Sequence, residues 1–398
     1  MRRKHTIVAL VVTFLLLALS VGSVPYAQAE RSNSETWTFM VYLVADNDLD
    51  YYGELDIDEM KTVDSTASVN IVVLWDSWDG PAHVYKVNKA ALEELTDSEL
   101  NGKEINMGAP ETLRDFVGYA TKKFRTDHYV LVLWDHGDDF RGCCWDYHTV
   151  DEEESIDYLN HQEITSALSR FQLDILAYDG CIMSLIEVPY EYYVQGLKID
   201  YFVGSEGYVP LEGFPYDTIL ASLTGNPAMS PNEFSRVMVN KYEDFYQRGY
   251  LTALSAIDMN KMGDVNDGTK ALIETLTANM DTYHKVIGSA RGQSNLPWSE
   301  YGWEALVDYV TFVNRIWEKA PDETIENLSA SLLESLHEAI YVKNPGAMAS
   351  MKAGGLAVFF PSSHGSFVHN YGWNAELYGN MQFASEVWLN FLHAYYKV

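Results

Sequence analysis

The chain has 398 residues and a formal net charge of −30, an acidic excess that excludes nucleic acid and anionic membranes as partners because both need a basic face. Its three cysteines, Cys143, Cys144 and Cys181, are too few, and odd in number, for a disulfide framework. The length suffices for one large α/β domain, with or without an appendage.

Met1-Arg2-Arg3-Lys4 is basic, Ile7 to Leu19 is apolar, and Pro25 and Ala27-Gln28-Ala29 follow. This is the layout of a secretory signal peptide, and the run is shorter than the roughly 20 residues of a spanning helix. Cleavage after Ala29 is therefore expected, leaving residues 30–398 as an exported, soluble monomer. Loss of Arg2, Arg3 and Lys4, with no acid, takes the charge to −33.

Strand-like runs follow at Trp37–Ala45, Val69–Trp75, His83–Val87, Tyr129–Trp134, Leu173–Tyr178, Tyr201–Ser205, Leu251–Ile257 and Leu356–Phe360. Helical patterns lie between them at Asp50–Val63, Thr112–Phe124, His161–Phe171, Ile182–Tyr193 and Pro231–Gln247. Residues 260–342 are mainly helical in period, and Phe383–Tyr396 reads as a last helix. Buried β-runs alternating with amphipathic helices predict a mostly parallel sheet covered on both faces.

Two segments carry chemistry. Leu173–Tyr178 runs into Asp179-Gly180-Cys181 and an expected helix, which places a thiol at the carboxyl end of a buried strand. A helix N-terminus there is expected to lower the thiol pKa. Tyr129–Trp134 ends in Asp135-His136-Gly137, so a histidine stands at the equivalent end of another strand. A His and a Cys on one sheet edge make a nucleophile–base pair, with the Cys181 and Gly137 N–H groups as oxyanion donors. Each alone is more simply a structural residue; their joint placement favours catalysis. A zinc-protease helix, a Gly-x-Ser-x-Gly elbow and phosphate-binding glycine loops are all absent.

With Val41–Leu49, Leu133–Gly137, Tyr178–Met183 and Glu187, Leu254–Met259 and Gly355–Pro361, the chain resembles the clostripain family of cysteine endopeptidases from Trp37 onward. The clan also holds caspases, legumain and gingipains. The resemblance implies a caspase-like α/β/α sandwich, a His136/Cys181 dyad and peptide or protein substrates. It also implies a preference for Arg or Lys before the cleaved bond, with Asp179 as the matching acid; in isolation Asp179 also fits an Asp-Gly turn. Glu206 is a second candidate acid for that pocket, an exposed loop glutamate being the plainer reading.

The sequence departs from the family in two places. No Lys or Arg lies between Arg141 and Arg170, where relatives cut themselves, and Asp138-Asp139 after Gly137 suggests an altered pocket rim. The chemistry needs no cofactor. Asp46, Asp48 and Asp50 alternate like a Ca²⁺ loop, but Tyr51 and Ile57 stand where an EF-hand needs Gly and Glu, so helix capping is expected instead. Calcium elsewhere on so acidic a surface stays open. The competing readings are an inactive caspase-like binding or adhesion module and a peptidase with another preference, which selective labelling of Cys181 and cleavage profiling would separate.

Overall fold

Apolar runs without polar alternation need burial on both faces, and the strands built from them obtain it. The computed structural model describes residues 35–149, 156–246, 252–296, 305–343, 353–365 and 375–397. The expected signal peptide and the acidic loop Asp151–Glu154 lie outside them.

The first half contains β1 (Trp37–Ala45), α1 (Asp50–Met60), β2 (Val69–Ser77), β3 (His83–Asn88), β4 (Ala91–Glu94), α2 (Pro110–Lys123), β5 (His128–Trp134), β6 (Cys143–Asp146), β7 (Asp157–Leu159) and α3 (His161–Leu168). Next come β8 (Gln172–Asp179), α4 (Glu187–Val194), β9 (Lys198–Ser205), α5 (Tyr216–Gly225), α6 (Pro231–Tyr246) and β10 (Leu254–Asp258). The helix-rich remainder holds α7 (Met262–Ala278), α8 (Met280–Gly292), β11 (Leu306–Asp308), α9 (Tyr309–Glu318), α10 (Glu323–Ala339), β12 (Ile340–Lys343) and β13 (Ala357–Phe359).

Nine strands form one sheet in the order β12-β10-β9-β8-β5-β1-β2-β3-β4. Its central strands, β9 through β2, run parallel, and antiparallel strands close each side. Along β1, Met40, Tyr42 and Val44 enter one apolar cluster, with Phe116 of α2, Ile164 of α3 and Leu272 of α7. Phe39, Val41 and Leu43 enter the other, with Ile57 of α1, Ile219 of α5 and Phe234 of α6. Each large side chain so buried contributes roughly 1.5–3 kcal/mol. The result is the expected α/β/α sandwich with a mostly parallel sheet.

The chain leaves β1 for β2 on one side and returns to β5 on the other. This is a switch point, where loops at the carboxyl ends diverge and open a crevice.

One expected element is displaced. The helix predicted from Ile182 begins only at Glu187. Before it the backbone is drawn to neighbouring strand ends: the amides of Ile182, Ser184 and Ile186 donate to the carbonyls of Gly207 (2.8 Å), Ser205 (2.9 Å) and Ala357 (2.8 Å). Ile182 itself sits at φ 55°, a strained value for a β-branched residue. Long-range pairing has overridden a local helical pattern. The strands β4, β6 and β7 span only three or four residues each, too short to leave a periodic signal.

Candidate active site

The ends of β5 and β8 are locked together before any side chain is placed. The Asp135 amide donates to the Asp179 carbonyl at 3.2 Å. Beyond that point the two loops pack backbone on backbone. A Cβ on Gly137 would lie 2.1 Å from the Cys181 carbonyl oxygen, and one on Gly180 would lie 2.7 Å from that of Asp135. Both positions exclude any side chain, and their glycines let the His136 loop rest on the Cys181 loop.

His136 and Cys181 line one cleft, together with Leu49, Trp134, Asp135, Asp179, Gly180, Val209, Pro210, Leu211 and Gly213. The His136 ring is partly exposed and its Nε2 lies 2.9 Å from Asp48 Oδ1. Burial pushes the Asp48 carboxyl up, but the hydrogen bond and charge of His136 outweigh it and hold Asp48 below the ordinary carboxylate range. An ionised Asp48 keeps the proton on Nε2 and leaves Nδ1 as the free ring nitrogen.

The Cys181 thiol is half-buried. Its sulfur accepts from the Val209 amide at 3.3 Å and faces the Val209 carbonyl at 3.7 Å. No hydrogen bond joins it to His136 among the described residues. Burial pushes the thiol up to about 11, with the carboxylates of Asp179, Asp135 and Asp138 adding to the effect against the Val209 N–H. The expected helix N-terminus is six residues further on, so the dipole argument for a lowered thiol pKa fails. All three cysteines are free thiols, and Cys143 and Cys144 are buried.

Asp179 lines the cleft floor. Its Oδ2 accepts from the Phe214 amide (2.9 Å) and the Tyr216 hydroxyl (3.0 Å), while Oδ1 has no partner among the described residues. Burial raises its carboxyl to about 7. A Cβ on Gly213, at φ +60°, would come within 2.9 Å of Oδ2, so the turn after Leu211 needs glycine for both reasons. Behind this floor Asp56 accepts from the Trp134 indole N–H at 2.6 Å. Burial, then the charge of Asp179, push Asp56 well above the ordinary value.

Glu206 is not the exposed loop residue expected, nor does it line the cleft. It is fully buried, accepts from the Gly355 amide at 2.9 Å and shares its surroundings with the carboxyl of Asp308. Asp138 and Asp139 are not among the residues that line the cleft, and both pair with Arg141. The three alternating aspartates do not cap α1, whose N-cap is Leu49 without a side-chain cap. Asp48 meets His136, Asp46 meets His148 and Asp50 accepts from Trp78 N. Sequence reasoning missed Asp48 as a partner of the histidine, and it missed the wall 209–213, whose one signal was the Gly213-Phe214-Pro215 turn.

The sequence model of the clostripain family, peptidase C11, matches residues 41–393. The chain belongs to the clostripain family. Members of the family are cysteine endopeptidases, and so is this chain. Clostripain of Hathewaya histolytica is 27% identical over 408 residues, covering 84% of this chain and 76% of the relative. An inactive zymogen C11 protease from Parabacteroides distasonis superposes with a TM-score of 0.64 at 20% identity, covering 89% of this chain and 99% of that one. A secreted C11 cysteine protease from Bacteroides thetaiotaomicron, in complex with an irreversible peptide inhibitor, gives 0.63 at 18% identity, over 88% of this chain and 99% of its own. At these identities the two structures speak for the clostripain-family fold alone.

Proposed function

We propose that this clostripain-family chain is an exported endopeptidase that cuts after Arg or Lys, with Cys181 as nucleophile and His136 as its acid–base partner. The observation that carries this reading is the shared cleft, in which His136, Cys181 and Asp179 all face one volume at the ends of β5 and β8.

The reading implies these steps. His136 takes the proton of the Cys181 thiol, the thiolate adds to the substrate carbonyl, and the oxyanion forms beside the amides of Gly137 and Cys181. The C–N bond then breaks as His136 protonates the leaving amine, and water hydrolyses the thioester with His136 as base. Asp48 holds the imidazole through Nε2. A guanidinium or ammonium group against Asp179 Oδ1 pairs a buried carboxylate. It also cancels one of the charges that raise the Cys181 thiol, so a basic substrate eases formation of its own nucleophile. Among the described residues no helix is long and apolar enough to cross a membrane. Export rests on the signal-peptide pattern of residues 1–29, and N-terminal sequencing of secreted protein should begin at Glu30.

A peptide library cleaved by the wild type, Asp179→Asn and Cys181→Ala tests the reading. Cleavage after Arg or Lys is expected, with Asp179→Asn losing about 100-fold in kcat/KM on basic substrates. Turnover that survives in Cys181→Ala would remove the dyad. Equal cleavage after neutral residues would remove only the specificity.

A further inference from the structure

The turn that leaves β1 carries a buried amide, Asn47, whose polar atoms are all engaged. Its Oδ1 accepts from the Leu49 amide at 2.8 Å, the side-chain turn that bends a strand into α1. Its Nδ2 donates to Asp135 Oδ1 and to the Trp145 carbonyl, both at 2.8 Å, with the Val44 carbonyl at 3.2 Å beside them. The amide can face only one way, because its oxygen meets an N–H and its nitrogen meets oxygens. The bonds to Leu49 and Val44 are local, whereas those to Asp135 and Trp145 reach across 88 and 98 residues of chain.

Both residues that pair here have a neighbour in the site. Asp48 follows Asn47 and lies 2.9 Å from His136 Nε2, and Asp135 precedes His136. Two peptide links and two hydrogen bonds therefore close a ring, from Asn47 to Asp48, across to His136, back to Asp135 and across again to Asn47. The third segment that Asn47 grips edges the same loop. Trp145 N donates to Asp135 Oδ2, Cys143 bridges to Gly137, and Asp138 N donates to the Gly142 carbonyl at 2.9 Å. An imidazole on a loop has several staggered rotamers open to it. Closing the ring leaves this one anchored at its backbone through Asp135 and at its tip through Asp48.

We propose that Asn47 is a positioning residue for the reaction: through Asp135 and Asp48 it holds the His136 imidazole in the orientation from which it serves Cys181. The inference rests on the His136/Cys181 dyad proposed above. Asparagine alone suits the place. Aspartate has no donor for Asp135, serine is too short to reach it, and glutamine is a methylene too long for the turn to Leu49. Asn47 is not among the residues that line the cleft, so its loss should act on kcat and not on KM, which the cleft wall governs.

Steady-state kinetics on a peptide with one Arg, alongside thermal melting, test the proposal on the mature chain. Asn47→Asp keeps Oδ1, and with it the turn to Leu49, but sets a second carboxylate against Asp135. The kcat of the folded variant should fall about 100-fold with KM within about threefold of wild type. Joining Asn47→Asp with Asp135→Asn restores a donor–acceptor pair of reversed polarity and should recover about tenfold in kcat over Asn47→Asp alone. A residue that served only folding would shift the melting temperature without this recovery. If Asn47→Asp does not fold, Asn47→Ser, which still accepts from Leu49 but cannot reach Asp135, should show the same split between kcat and KM. A kcat within about twofold of wild type in the folded variant would overturn the inference, as would a double variant no faster than Asn47→Asp. Turnover that survives Cys181→Ala would overturn the dyad and this inference with it; turnover that needs Cys181 but not Asn47 would overturn this inference alone.

Discussion

Four neighbouring parallel strands each end in an aspartate: Asp46 after β1, Asp76 in β2, Asp135 after β5 and Asp179 in β8. On the β5–β8 side the carboxylates have donors. Asp135 accepts from Asn47 and the Trp145 amide, and Asp179 accepts from Phe214 and Tyr216. On the β1–β2 side Asp76 has none, and burial with its three acidic neighbours pushes it up to about 9. The same residue type at the same end of adjacent strands therefore does two jobs. Where the loops supply N–H and O–H groups, the acid is a fixed part of a cleft wall. Where they supply further acids, it is held in its protonated form to higher pH.

The sharpest way to break this contrast is to disturb the packing that only the cleft side has. Gly137→Ala puts a methyl group 2.1 Å from the Cys181 carbonyl, so the two loops must separate. A fall of about 100-fold in kcat/KM is expected. Activity close to wild type would show that the loops need no contact.

A smaller effect is expected from Asp48→Asn, which leaves the fold unchanged but removes the charge beside His136 Nε2. The kcat should drop about tenfold, because the imidazole loses the carboxylate that orients it. A kcat within about twofold of wild type would make Asp48 a surface contact only.

The smallest effect is in stability. Burial holds the folded Asp179 carboxyl at about 7, against about 4 in an unfolded chain. Below the lower value both states carry the proton. Between the two values only the folded state keeps it, so unfolding releases a proton and stability declines as pH rises, levelling off above the folded value. Asp179→Asn lacks this contribution and should lose less melting temperature than wild type between pH 4 and pH 8 by scanning calorimetry, as order-of-magnitude bounds on the window. Identical slopes would mean that Asp179 is ionised and well solvated in the resting enzyme.

The strands were legible because parallel strands buried on both faces leave continuous apolar runs, as Tyr129–Trp134 and Leu173–Tyr178 do. His136 and Cys181 were legible for the same reason, each standing just past such a run beside a glycine. The helix after Cys181 was misplaced because Ile182–Ile186 has a helical pattern but is held by Gly207, Ser205 and Ala357. Glu206 looked like a loop acid, and only the approach of Gly355 and Asp308 buries it.

The sequence by itself determined the sheet, the order of its strands in the chain, and the placing of a thiol and an imidazole at strand ends. Local periodicity records which side chains a strand or helix must bury, and that information is contiguous. Tertiary structure alone decided the direction of the Cys181 pKa shift, the closing of the cleft by residues 209–213, and the meeting of Asp46, Asp76, Glu104 and Asp146. Desolvation and Coulomb interaction depend on distances between segments far apart in the chain, and no local pattern carries those distances.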